Sequence, residues 1–296
     1  MKKGGARVDG ERVFFSARLV EEQIRKAPAE FTLYARNSEF DVLIGGPHMV
    51  FVPGYGAAFV TDLDKGRREG TLKDFENFVK LTNASSHQDI CSGVVIEPTD
   101  VPHEIRHAQT IYTAMKYSPK PFMGSAMGAQ GARDSIQMAS ILFGSQDELS
   151  RKPRMISILC SLTPLVYDER MLGAIMEYAR AGQPQLISSL GIAGATSPVT
   201  LAGTLAVQNA EVLAGIILTQ LIREGTPVVF AGASTGADMQ TGVLSSGSPE
   251  MAINTAATAQ MARFYGLPVR SGGAVCDRSE ERRVGKECRS RWSPYH

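Results

Sequence analysis

Residues 185–234, QLISSLGIAGATSPVTLAGTLAVQNAEVLAGIILTQLIREGTPVVFAGAS, decide the fold. The apolar run Leu186–Ile187 stops at Ser188-Ser189, and a loop of Gly, Ala, Ser and Thr with one proline follows. A long small-residue helix then runs to Gly225, and a second apolar run, Val228–Phe230, stops at Gly232 and Ser234. This is a strand–helix–strand unit whose small polar residues gather where the strands end. In parallel α/β folds that edge is where ligands bind.

The same rhythm extends on both sides. Upstream, a strand over Ile90–Ile96 ends at Glu97, and Asp100 and Pro102 open a helix to about Tyr117. A strand over Pro121–Met123 ends at Gly124-Ser125 and is followed by a helix over Ala132–Phe143. The strand Met155–Cys160 ends at Ser161 and Thr163, and Asp168 starts a helix to Arg180. Downstream, Ser248 caps a helix over Pro249–Tyr265, and the strand Pro268–Arg270 ends in Ser271-Gly272-Gly273. Six βα-type strands at a spacing of roughly 30–40 residues imply a parallel sheet. No GxGxxG follows the first strand and no GxxxxGK[ST] occurs anywhere, which removes support for a nucleotide-binding sandwich. An eight-stranded barrel takes about 250 residues. The expected fold is therefore α/β, a TIM (β/α)8-type barrel truncated after about six strands.

Residues 1–84 read differently. FTLYARNSEFDVLIGG and HMVFVPGYGAAFVTDL alternate apolar and polar residues between glycines and prolines, the pattern of antiparallel strands. Thr71 caps a helix, TLKDFENFVKLTNAS, in which Leu72, Phe75, Phe78 and Val79 share a face. The expected organisation is a small mixed N-terminal region over 1–84, a partial barrel over 85–277 and a foreign tail over 278–296. That tail, RSEERRVGKECRSRWSPYH, holds the only tryptophan and no apolar periodicity. It resembles, residue for residue, the in-frame translation of a widely used DNA sequencing adapter, which has no place in fold reasoning. The bland alternative is a basic tail for an anionic partner. Setting it aside leaves 25 basic against 27 acidic residues, a net −2. The coding sequence is then expected to be interrupted after Asp277, and the open edges of a barrel stopped at strand six should make the chain poorly behaved.

The bulk numbers bound function. At 296 residues, 43% hydrophobic, the chain has a real core. No uninterrupted apolar run reaches the roughly 18–20 residues of a membrane span, and MKKGGARVDGE has no apolar segment behind its basic residues. Four cysteines without close pairing suggest a reducing cytoplasm. A formal net charge of +1 points to neither nucleic acid nor an acidic membrane surface.

His103-Glu104-Ile105-Arg106-His107 is a literal HExxH, which on a helix puts two histidines one turn apart and would make a zinc hydrolase. Such a site needs a third protein ligand, and the other body histidines, His48 and His87, lie upstream. Pro102 also places the motif in a first helical turn, where polar residues are usually solvated. No tightly bound metal is expected. Cys91, Cys160 and Cys276 show no CxxC spacing; Cys160 reads as a small core residue, and Cys276 follows a strand tip from which it would reach a site. Phe51, Tyr55, Phe122 and Tyr167 sit in or beside loops and strand ends, where aromatic faces hold a quaternary ammonium, the alternative being ordinary packing. Glu97, Asp168 and Asp238 follow strands one, three and five and would supply negative potential; Asp168 reads equally well as a helix cap. In the long helix, Gln208, Asn209 and Glu211 interrupt the small residues and are assigned structural roles, a buried one needing a partner.

PGYGA (Pro53–Ala57), FMGSAMG (Phe122–Gly128) and ATSPVTLAGTLAVQNAEVLAGI (Ala195–Ile216) resemble the trimethylamine methyltransferase family, and the likeness covers essentially all of residues 1–277. It implies a TIM barrel preceded by an N-terminal segment, and methyl transfer from a methylated amine to a Co(I) corrinoid carried by a partner protein. Members usually extend well beyond both ends of this stretch, so the resemblance implies a fragment, itself inactive, of a parent that forms a homo-oligomer. The archaeal trimethylamine enzymes carry a pyrrolysine, which is not written here; relatives without it are associated with quaternary amines such as glycine betaine. On this reading Tyr55, Glu97, Phe122, Tyr167 and Asp238 are the candidate amine-binding residues. Gly124, Ser125, Ser188, Ser189, Gly232, Ser234 and Gly272 would let a bulky corrinoid approach. A quaternary ammonium leaves without protonation, so no nucleophile or acid–base pair is required. A non-catalytic, barrel-derived amine-binding protein is the remaining alternative.

Overall fold

The computed structural model describes residues 1–272 other than 92, 239, 241 and 243; Gly273, Cys276 and the adapter-like tail lie outside the described residues. The N-terminal part consists of three antiparallel hairpins and two helices. β1 (Arg7–Asp9) pairs with β2 (Arg12–Phe14), and α1 (Ala17–Ile24) follows, capped by Ser16. β3 (Glu30–Leu33) pairs with β4 (Val42–Gly45), and β5 (Phe59–Asp62) with β6 (Gly66–Glu69). α2 (Leu72–Ala84) starts at Thr71 as expected. The Thr71 hydroxyl accepts from the Asp74 amide, and the Asp74 carboxylate accepts from the Thr71 amide, a reciprocal cap.

Arg68 adds a two-pronged bond to Asp74, at 2.6 and 2.8 Å. With Arg68 as the largest cause, the Asp74 carboxyl is held well below the usual carboxylate range. A carboxyl depressed in the folded state contributes stability above its unfolded pKa and loses it as pH falls. Asp74→Asn should therefore cost about 1 kcal/mol at neutral pH and flatten the acid limb of a stability-versus-pH curve. An unchanged acid limb in urea titrations would contradict this.

From α3 (His103–Tyr117) onward the chain alternates strand and helix. β7 (Phe122–Met123) leads to α4 (Gly128–Phe143) and the short α5 (Gln146–Arg151). β8 (Met155–Cys160) leads to α6 (Glu169–Arg180), capped by Asp168. β9 (Gln185–Ser189) and the two-residue β10 (Ile192–Ala193) precede α7 (Leu201–Ile222), capped by Thr200. β11 (Val228–Gly232) and β12 (Thr235–Gly236) precede α8 (Pro249–Phe264), capped by Ser248, and β13 (Val269–Ser271) ends the series.

The main sheet has five parallel strands in the order β13-β11-β9-β8-β7. Each strand's neighbour is the next member of this sheet along the chain, β10 and β12 pairing apart from it, whereas a doubly wound sheet reverses its order at a switch point. Strict succession with helices between is barrel winding, and the curled sheet is part of a TIM-type barrel. The first of the six expected strands, Ile90–Ile96, is reduced to isolated bridges, Cys91 to Phe122 and Ile96 to Ala57. Its backbone is bonded elsewhere: Gly56 donates to the Val94 carbonyl at 2.7 Å and Glu97 donates to that of Ala57 at 2.8 Å. The segment ties the N-terminal part to the barrel instead of continuing along β7.

Alternation sorts the strand residues into two cores. Met155, Leu159, Ile187 and Phe230 face outward and pack with Ile136, Ile175, Tyr178, Val212 and Ile216 of the helices. Phe75 and Val79 of α2 and Ile24 of α1 belong to that same core. Ile156, Ile158, Leu186 and Val229 face inward, where Phe31, Leu33, Val42 and Ile44 of the β3–β4 hairpin cover them. The hairpin is pinned at the N-terminal ends of the strands: Tyr34 donates to the Pro153 carbonyl and Arg36 to that of Pro119. The floor of the interior is thus closed, and the opposite mouth, at the strands' C-terminal ends, is left for a ligand.

α7 is long and apolar enough to cross a membrane by length and composition, which a search for uninterrupted apolar runs does not show. Half of that stretch is buried inside the fold, and Gln208 and Glu211 within it are buried and hydrogen-bonded. It serves as a core helix.

Candidate functional site

Two adjoining hollows open at the C-terminal end of β7, and Tyr55 lines both. The larger, a cleft of about 270 Å³, lies between α3, the β7–α4 turn and the start of α6. Glu97, Arg106, His107, Gly124, Ser125 and Arg170 supply its polar wall. The smaller, about 90 Å³, is the barrel interior itself, walled by Ile44, Val50, Ile156, Leu186 and Val229 among others and carrying a single charged group, Arg270.

Four of the expected residues meet at the cleft: Tyr55, Glu97, Gly124 and Ser125. Burial, more than the nearby Cys160 and Glu97, pushes the Tyr55 hydroxyl up to about 12, although 40% of the residue's surface still meets solvent. Its ring edge lies close to Gly93, where an added Cβ would come within 3.5 Å of it. Glu97 is not a free negative charge, because Arg106 approaches its carboxylate at 3.0 Å.

The other expected residues are distributed elsewhere. Phe122 points to the outer face of β7 and is buried in the helix-side core. Tyr167 donates its hydroxyl to the Glu211 carbonyl at 2.9 Å and lies against α7. Asp238 is exposed in a turn, accepting from the Gln240 amide. Ser188 faces the interior beside Cys160, whereas Ser189 faces outward and donates to Glu211 at 2.6 Å. Ser234 accepts from the Gly191 amide at 2.8 Å.

The small strand-end glycines have a reason other than ligand access. A Cβ at Gly124 would sit 2.4 Å from the Tyr178 hydroxyl, and one at Gly232 would sit 2.2 Å from the Gln208 amide. At Gly272 it would meet the Met251 methyl at 3.0 Å. Outer helices, not the mouth, demand these glycines. Cys160, Ser188 and Ala231, all small, stand in register in the inner layer at the strands' C-terminal ends.

The HExxH motif is split by its helix. His103 is exposed, while His107 turns into the cleft and bonds Asp134 at 2.8 Å. That bond is the largest cause of a lowered Asp134 pKa. Among the described residues no three His, Cys, Asp or Glu side chains converge as metal ligands. Cys91 is buried, its thiol pushed up to about 12 by burial, and Cys160 is raised for the same reason.

Two residues around the site stand out beyond the expected ones. Glu211, expected in a structural role, fills one by holding the β8–α6 loop: its carboxylate accepts from Ser161, Thr163, Ser189 and the Leu165 amide at 2.5–2.9 Å. Arg270 is the interior cation. The last apolar strand alternates Val269, Arg270, Ser271, and that alternation is the signal that would have aimed Arg270 inward.

A sequence model of the trimethylamine methyltransferase (MTTB) family matches residues 1–281. Glycine betaine methyltransferase of Desulfitobacterium hafniense (strain Y51) is 53% identical over 276 residues, 93% of this chain and 58% of that protein. Trimethylamine methyltransferase MttB of D. hafniense (strain DSM 10664 / DCB-2) is 32% identical over 278 residues, 93% and 56%. Proline betaine:corrinoid methyltransferase of Eubacterium limosum is 30% identical over 284 residues, 93% and 58%. The chain spans a little over half the length of these relatives.

Proposed function

The chain belongs to the trimethylamine methyltransferase family, and from that premise we propose that its full-length protein demethylates glycine betaine, passing the methyl group to the Co(I) corrinoid of a partner protein. The observation that carries the choice of amine is the 53% identity with a glycine betaine methyltransferase, against 32% with a trimethylamine enzyme. The corrinoid supplies the methyl acceptor. In the transfer the N–CH3 bond breaks, its electron pair stays on nitrogen, and dimethylglycine leaves as its carboxylate anion, with a neutral amine nitrogen and without taking a proton.

The residues at the cleft fit a reaction of that kind. Glu97 is tied to Arg106 and His107 to Asp134, so these side chains are engaged with one another instead of standing free for proton transfer. The protein's part is to hold the cation against an aromatic face, exclude water and aim one methyl at the mouth. The five described parallel strands do not close on themselves, and the 296 residues alone are expected not to turn over.

The full-length protein, supplied with reduced corrinoid protein and glycine betaine, trimethylamine or choline in separate reactions, should yield dimethylglycine and little product from the other two. Product formation from trimethylamine alone would overturn the choice of amine. Binding of glycine betaine with no product under any condition would favour the non-catalytic alternative.

A further inference from the structure

We propose that Arg270 anchors the carboxylate of a zwitterionic quaternary amine inside the barrel, with the ammonium end turned toward Tyr55. The inference deepens the glycine betaine reading and rests on it. The registers place Arg270 beside Ala231, Ala231 beside Ser188 and Ser188 beside Cys160, one inward-facing layer at the strands' C-terminal ends. Three small side chains in that layer leave the guanidinium room to reach a ligand.

The surroundings make its isolation costly. The interior hollow is lined by Ile44, Val50, Val52, Ile156 and other apolar residues, with only Tyr55 and Arg270 adding polar groups. Arg68, Arg106 and Arg154 all lie against carboxylates, but Arg270 makes no hydrogen bond or ion pair with any described residue. Burial lowers its pKa, the expected mark of a cation in a poorly hydrated site without a counter-charge. A half-buried cation in an apolar hollow, with no partner among the described residues, is unfavourable, and a guanidinium fork matches a carboxylate's two oxygens.

A betaine supplies what this hollow lacks. Its carboxylate would pair with Arg270, and its trimethylammonium, a few bonds away, would meet the Tyr55 ring that lines both hollows. A simple methylamine would bring a second positive charge into the same apolar space. Arg270 would thereby set specificity for amino-acid betaines over amines without a carboxylate.

Calorimetry on the full-length protein without corrinoid separates the possibilities, with choline as the probe that keeps the trimethylammonium and lacks the carboxylate. Arg270→Gln should weaken glycine betaine about tenfold and leave choline unchanged or tighter, and Arg270→Lys should recover part of the loss. Equal losses for both ligands would make Arg270 a structural residue and overturn the proposal. Betaine binding unaffected by Arg270→Gln would overturn the anchor while leaving the betaine reading standing. An unmodified protein that binds choline or trimethylamine but not glycine betaine would overturn both.

Discussion

Replacing Glu211 by alanine is expected to destabilise the fold by about 3–5 kcal/mol, the largest effect of any single side chain discussed above. Glu211 is 2% exposed in the middle of α7, and its two oxygens accept from four donors. Three are hydroxyls of Ser161, Thr163 and Ser189, which can rotate toward other partners. The fourth is the Leu165 amide at 2.7 Å, which cannot. Leu165 has φ +60°, a left-handed backbone that a leucine adopts only where its surroundings enforce it. Removing the acceptor therefore leaves an orphaned amide and releases a strained loop at the mouth of the barrel. Glu211→Gln keeps one carbonyl oxygen for the amide and offers its NH2 to hydroxyls able to turn and accept, so its cost should be a minor fraction of the alanine cost. Chemical denaturation of the full-length protein checks both; similar losses for the two variants would mean that charge, not the Leu165 bond, is what matters.

The second large effect is expected at Tyr55. Tyr55→Ala should weaken binding of a quaternary amine about 30-fold, because a desolvated cation–π contact contributes about 2 kcal/mol. Tyr55→Phe keeps the ring and should cost little, since the hydroxyl makes no hydrogen bond to another described residue. Full retention of affinity in Tyr55→Ala would place the ammonium elsewhere.

Local chemistry made much of this fold readable. Thr71, Asp168 and Ser248 each cap the helix that the sequence assigns to them, because a cap is decided by a few neighbouring residues. The apolar runs at Leu186 and Val228 become central strands for an equally local reason. Ile90–Ile96 fails as a strand because its backbone partners, Gly56 and Ala57, come from a distant loop that no local pattern reveals.

The site was legible only in part, and the reason is direction. Tyr55, Glu97, Gly124 and Ser125 do converge: Gly124 and Ser125 lie just past β7 at its C-terminal edge, and the bonds of Gly56 and Ala57 to Val94 and Glu97 bring the other two beside them. A sequence shows that Gly124, Gly232 and Gly272 are small but not which neighbour requires it, and the neighbours turn out to be Tyr178, Gln208 and Met251 on the outer helices. Phe122 is one residue from Met123, which lines both hollows, yet the alternation of β7 sends it to the opposite core. The sequence places Arg270 at the end of a short strand, and its register with Ala231 turns it inward.

The central claim is methyl transfer from glycine betaine, and the most direct measurement is the visible spectrum of the reduced corrinoid partner after mixing with the full-length protein and glycine betaine. The Co(I) spectrum should convert to that of methyl-cobalt, dependent on both protein and betaine, with dimethylglycine formed in equal amount. A Co(I) spectrum that persists with glycine betaine, under conditions where a chemical methyl donor converts it, would rule out glycine betaine as the methyl donor.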